Sequence, residues 1–171
     1  MTTVRRIVTG HDAEGRAVVI EDAPATNILG TLTNLWSTPG VPADCNMADP
    51  MVGAPRGLEP SPGGTFFRFF EIPPQPRGPA SPEYTALVRQ AFIDMGAAHA
   101  QVDTSRHPAM HKTQTVDYII LLRGEVTLIL DADERELKPL DVVIQRGTNH
   151  AWANYGTEPA VLMAVLVGGR F

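Results

Sequence analysis

Between residues 116 and 167 the chain is a succession of short apolar runs, Val116–Leu122, Glu125–Asp131, Asp141–Gln145 and Pro159–Val167, cut apart by turn residues such as Arg123–Gly124 and Asp133–Glu136. Runs of this length, rich in Val, Ile and Leu, are too short for buried helices and suit strands packed on a common core. Short strands at regular spacing point to an antiparallel barrel or jelly roll. The expected fold class is therefore all-β, an antiparallel jelly-roll barrel with an N-terminal hairpin extension and one amphipathic helix.

Earlier segments supply the extensions. Val4–Val8 and Arg16–Glu21 around the turn-like His11–Gly15 read as the hairpin, and Asn27–Trp36 and Thr65–Ile72 as further strands. The intervening Thr38–Gly64 is crowded with Pro, Gly and Asp; a loop of that length is expected to act as a lid, a rim or an arm on a partner. The helix is Pro82–Gly96: Ser81 can cap it, Pro82 suits its first position and Gly96 its stop. Tyr84, Leu87, Val88, Ala91, Phe92 and Met95 form its apolar stripe, read as core or interface. With 171 residues and 43% hydrophobic content, one domain over 1–171 is expected, with strands and loop in 1–72 and the barrel core in 98–168.

Composition narrows the function classes. The net charge of −5 without a basic run argues against nucleic acid. No apolar stretch is long enough for a membrane span, and the N-terminus has no signal-like apolar region. The single Cys45 cannot form an intrachain disulfide, in keeping with a cytoplasmic protein, and no histidine near it in sequence supports a nucleophile. The hairpin and the Phe66, Phe67, Phe69, Phe70 cluster offer more apolar surface than a small barrel absorbs, so a homodimer is expected.

Two polar clusters mark the candidate site: His107–Gly124 (HPAMHKTQTVDYIILLRG) and Gln145–Asn154 (QRGTNHAWAN). Residues two apart in a strand share a face. His111, Thr113, Thr115 and Asp117 thus share one, joined by His107 if the chain stays extended through Pro108, and that face continues into Ile119 and Leu121. A pocket mouth grading into a packed core has this pattern. Gln145, Thr148 and Asn149 are candidates for the pocket lining, Trp152 for an apolar wall beside His150, and Tyr118 for the outer face.

These clusters resemble the two motifs of the cupin superfamily, small jelly-roll barrels that usually hold one divalent metal. The family's first motif has two histidines one residue apart, then a glutamate, then a glycine seven residues after the acid. His111 stands at the first histidine position, Thr113 at the second, Asp117 at the acid and Gly124 at the glycine. In the second motif Gly147, His150 and Asn154 match, while Gln145 replaces a proline. The resemblance spans about residues 105–168, and the patterns MHxTxTVDY and QxGTNHAW are similar to those of a bacterial and fungal subgroup, some of whose members belong to secondary-metabolite clusters. It implies a metal site of His111, Asp117 and His150 for Fe, Mn, Ni or Zn, and His107 would replace the missing ligand if its backbone bends inward.

Three functions remain open. One is a metal-dependent enzyme carrying out an oxidative or isomerising reaction on a small organic substrate. Another is a metal-free dehydratase or isomerase in which His111 or His150 abstracts a proton and Asp117 orients or donates, a reading favoured by Thr113, since threonine is a poor ligand. The third is a barrel that binds a small ligand without turnover.

Overall fold

A computed structural model describes residues 2–53 and 57–171. The chain begins with a hairpin of β1 (Arg5–His11) and β2 (Ala17–Pro24), closed by the turn in which the Asp12 amide donates to the Arg16 carbonyl at 3.0 Å. β3 (Asn27–Leu29), β4 (Leu32–Thr38) and β5 (Thr65–Ile72) follow, then helix α1 (Pro82–Asp94). The remainder is β6 (Thr115–Arg123), β7 (Val126–Leu130), β8 (Glu134–Leu137), β9 (Val142–Arg146), β10 (His150–Ala153) and β11 (Ala160–Gly168). Six strands pair in the order β3-β4-β5-β11-β6-β9, and three in the order β10-β7-β8, antiparallel throughout. The fold is an all-β jelly roll, bearing one α-helix among the described residues.

The two sheets enclose the core because their facing strands alternate. On β6, Asp117, Ile119 and Leu121 point inward, while Tyr118 on the opposite parity is 51% exposed, as its parity predicts. Ile119, Leu121, Leu162, Leu166 and Phe66 of the larger sheet meet Val126, Leu128, Leu137 and Trp152 of the smaller. Gly124 makes the tight turn from β6 to β7: its φ is +81°, and a Cβ there would sit 2.9 Å from the Ala160 Cα.

The phenylalanine cluster is divided by the same alternation. Phe66 and Phe70 pack against the core, whereas Phe67 and Phe69 face outward and meet edge to face at 6.3 Å. A cleft of about 900 Å³ lies between that outer face and the β1–β2 hairpin. Arg6 fastens the hairpin, reaching the Leu35 carbonyl at 3.2 Å, Glu21 and Asp49.

The elements differ from expectation in three places. The run Asn27–Trp36 is two strands, not one, since Gly30 at φ +57° opens a two-residue turn that pairs Leu29 with Leu32. The expected polar turn Asp133–Glu136 is largely β8, an exposed edge strand that buries only Leu137, so hydrophobicity could not reveal it. His150–Ala153 is a strand in its own right, buried on both faces. Helix α1 starts as expected, with the Ser81 Oγ accepting from the Tyr84 amide at 3.1 Å, and gives way to Gly96 at φ +67°. No helix among the described residues is long and apolar enough to cross a membrane.

Candidate functional site

A cavity of about 380 Å³ opens at one end of the barrel, between the sheets and under α1. Its walls are mostly hydrocarbon: Leu29 and Leu32 near the β3–β4 turn, Phe70 and Ile72 of β5, Trp152 of β10, and Val88, Ala91, Phe92 and Met95 of the helix. Four residues of the helical stripe read from the sequence as core or interface thus serve as one wall, while Leu87 of that stripe is 67% exposed. Set among these carbons are His111, His150, Asp117 and Arg68.

The two histidines are placed by backbone pairing. His111 and His150 form an isolated antiparallel bridge, each amide donating to the other's carbonyl at 2.9 Å, which sets both imidazoles on one face with centroids 4.3 Å apart. Their tautomers follow from their partners. Nδ1 of His111 lies 2.9 Å from the Ala109 carbonyl oxygen, and Nδ1 of His150 lies 3.0 Å from that of Thr148. A carbonyl can only accept, so each Nδ1 carries the proton and each Nε2 keeps its lone pair. Burial lowers the pKa of His111, and burial together with the neighbouring His111 brings His150 down to about 3. Both rings are neutral at pH 7. Phe92 and Trp152 flank the pair, with centroids 5.2 Å from His111 and 5.6 Å from His150.

Asp117 behaves in the opposite sense. It is 4% exposed, and its Oδ1 has no hydrogen-bond partner. Burial pushes its pKa up from 3.8 to about 6, against the opposing pull of the Thr115 hydroxyl and the Arg68 charge. Arg68 is 2% exposed; burial draws its guanidinium down to about 10. Its terminal nitrogens donate to the carbonyls of Gly57 and Leu58, at 2.9 and 3.2 Å, which ties the long loop to the cavity floor.

Only part of the expected set faces this cavity: His111, Asp117, His150 and Trp152 line it. Thr113 and Thr115 are buried beside it and satisfy each other, Oγ1 to Oγ1 at 2.8 Å, outside the lining. Gln145 and Thr148 hydrogen-bond one another, and Asn149 donates to the Asp103 carbonyl and to Asp131 at 2.9 and 2.8 Å; all three are turn chemistry away from the cavity. His107 also departs from expectation. The chain turns at His107–Met110 instead of staying extended, and the ring accepts from the Ala109 amide at Nδ1 while Nε2 meets Gln75 at 2.9 Å. Gln75 in turn accepts from the Tyr84 hydroxyl at 2.7 Å, so His107 helps fasten α1. The motif asparagine, Asn154, is fully buried and donates to the Ile72 and Glu158 carbonyls, a structural clamp.

Arg68 was the residue that sequence reasoning missed. Its signal was present: in Thr65–Ile72 (TFFRFFEI) a lone cation shares parity with Phe66 and Phe70, the inward residues of a strand.

The two neutral imidazoles, each oriented through Nδ1 by a carbonyl, have the form metal-binding histidines take. Among the described residues, however, no three His, Cys, Asp or Glu side chains converge as a metal ion requires. Asp117 and His107 do not join the pair, and the three-ligand set implied by the motifs is not assembled.

Residues 98–166 match the family model of the cupin domain. "Phomopsin biosynthesis cluster protein D" of Diaporthe leptostromiformis is 30% identical over 163 residues, spanning 90% of this chain and 72% of the relative. The chain belongs to the cupin superfamily. This cupin is also similar to the "Cupin-domain-containing oxidoreductase virC" of Hypocrea virens, 28% identical over 172 residues, or 96% of this chain and 75% of the relative. Among solved structures, a cupin 2 conserved barrel domain protein from Salinispora arenicola matches 84% of this chain and 82% of its own, at 17% identity and a TM-score of 0.43.

Proposed function

We propose that this cupin is an enzyme for a small, largely apolar carbonyl compound, and that it isomerises or dehydrates it by proton transfer through Asp117. The observation that carries this reading is the buried Asp117 carboxyl, unpartnered at Oδ1 in an apolar cavity and poised near pH 6. A carboxyl so tuned can take a proton from a carbon next to a carbonyl and return it elsewhere at neutral pH. The histidines suit a different task. With His150 at about 3, a ring of the pair is a weak base, but its Nε2 lone pair can accept from a substrate hydroxyl and so orient the molecule. The names of the fungal relatives, one a biosynthesis-cluster protein and one an oxidoreductase, support small-molecule enzymology.

A second reading rests on the imidazole pair and the name oxidoreductase. Here His111 and His150 would supply two imidazole ligands to a divalent Fe, Mn, Ni or Zn ion, short of the three-ligand set, and the ion would bring Lewis-acid chemistry to the cavity. Asp117 keeps its proton-handling role in both readings.

The test is deuterium incorporation in D₂O, followed by proton NMR, over a panel of alkyl and aryl ketones and aldehydes. Wild type is expected to catalyse exchange next to the carbonyl of at least one compound, and Asp117→Asn to slow it about 10²–10⁴-fold, the usual contribution of a positioned acid–base. Equal exchange by both proteins would refute the assignment.

A further inference from the structure

Proton transfer by Asp117 leaves Arg68 without a task. A guanidinium taken out of water is costly unless a negative charge or a full set of acceptors compensates it. Arg68 is 2% exposed and lines the apolar cavity, yet its two hydrogen-bond partners, the Gly57 and Leu58 carbonyls, are neutral. Its plane lies over the Phe66 ring, 4.7 Å from guanidinium carbon to centroid. Its Nε has no partner, and no carboxylate forms an ion pair with it among the described residues; Asp117 acts on it only through space. An unpartnered donor is left over on a side chain that lines a chamber walled mostly by carbon, with Asp94, His111, Asp117 and His150 among its other polar lining.

Pinning the loop explains the two terminal nitrogens and not the bare Nε. Nε and an adjacent terminal N–H form the fork that takes a carboxylate through two parallel hydrogen bonds. The chamber offers one cation and few other donors, which suits a singly charged head better than a phosphate. At about 380 Å³ it stands at the small end of small-molecule sites, roughly 300–1,000 Å³.

We propose that the ligand of this cavity is an amphiphilic organic acid, its carboxylate held by Arg68 and its apolar body lying along Phe70, Trp152 and Phe92. The assignment rests on the cavity being the substrate site and adds the chemical class of the substrate. It makes Arg68 a specificity-determining residue, separate from the proton transfer at Asp117.

Calorimetric titration of the full chain with octanoate and with 1-octanol tests it, the probes differing only in the head group. Wild type is expected to bind octanoate at least about tenfold more tightly than the alcohol, the scale of a charge-assisted hydrogen-bonded pair. Arg68→Met is expected to erase that preference, and Arg68→Lys to keep part of it. Binding of neither probe, equal binding, or preference for the alcohol in wild type overturns the proposal, as does an undiminished preference in Arg68→Met. Should Arg68→Met fail to fold in a thermal melt, the wild-type ratio and Arg68→Lys still decide. The two proposals fail separately: exchange without acid preference removes the Arg68 anchor alone, and acid preference without exchange removes the Asp117 chemistry alone.

Discussion

Replacing Asp117 by asparagine should make the protein more stable at pH 8 and leave it nearly unchanged at pH 4. The side chain is 4% exposed, so its environment, not solvent, sets its charge state. Its pKa rises from 3.8 to about 6, roughly two units at 1.36 kcal/mol each, or about 3 kcal/mol as an order of magnitude. The sign follows from the direction. A carboxyl whose folded pKa lies above its unfolded value favours the folded state while protonated. That contribution is complete below about pH 4 and is lost as the pH climbs through 6. Asparagine is close in shape and cannot ionise, so the difference in unfolding free energy, variant minus wild type, should grow by about 3 kcal/mol between pH 4 and pH 8. Urea unfolding at several pH values measures it, and subtracting wild type cancels the histidines, whose lowered pKa values act in the opposite direction. A difference that stays flat with pH would show that Asp117 titrates as an ordinary surface carboxyl, and the reasoning about the cavity would fall with it.

Two further outcomes are expected. Gly124→Ala should cost about 1–3 kcal/mol of stability, read as a lower urea midpoint, because alanine must adopt φ +81° and its Cβ meets the Ala160 backbone at 2.9 Å; an unchanged midpoint would contradict that turn geometry. Protein purified without chelators should carry Fe, Mn, Ni and Zn well below one ion per chain by plasma mass spectrometry, since no third ligand joins the two imidazoles among the described residues. Near-stoichiometric metal that disappears in His150→Ala would favour the second reading instead.

The inward face of β6 could be read from the sequence because alternation there is unbroken: Asp117, Ile119 and Leu121 go in and Tyr118 goes out. His111 and His150 were likewise expected at one site, although what joins them is a backbone bridge between distant segments, which no local pattern encodes. His107 failed the same parity argument because the chain turns at Pro108. β8 was invisible for a physical reason, an edge strand that needs only Leu137 to hold it. Helix α1 was located correctly, but periodicity says which face is apolar and not what that face covers, so its place as a cavity wall emerged only in three dimensions. Arg68 hid among four phenylalanines, in a strand whose hydrophobicity draws attention away from its one cation.

The buried Asp117 carboxyl is the group proposed to handle the proton. The pH dependence of wild-type deuterium exchange tests this most directly, since the rate at low substrate concentration reports the free enzyme's titrating base. A rate that rises through a midpoint of about pH 6 to a plateau is predicted from Asp117. A rate that is independent of pH between 5 and 8 would contradict it.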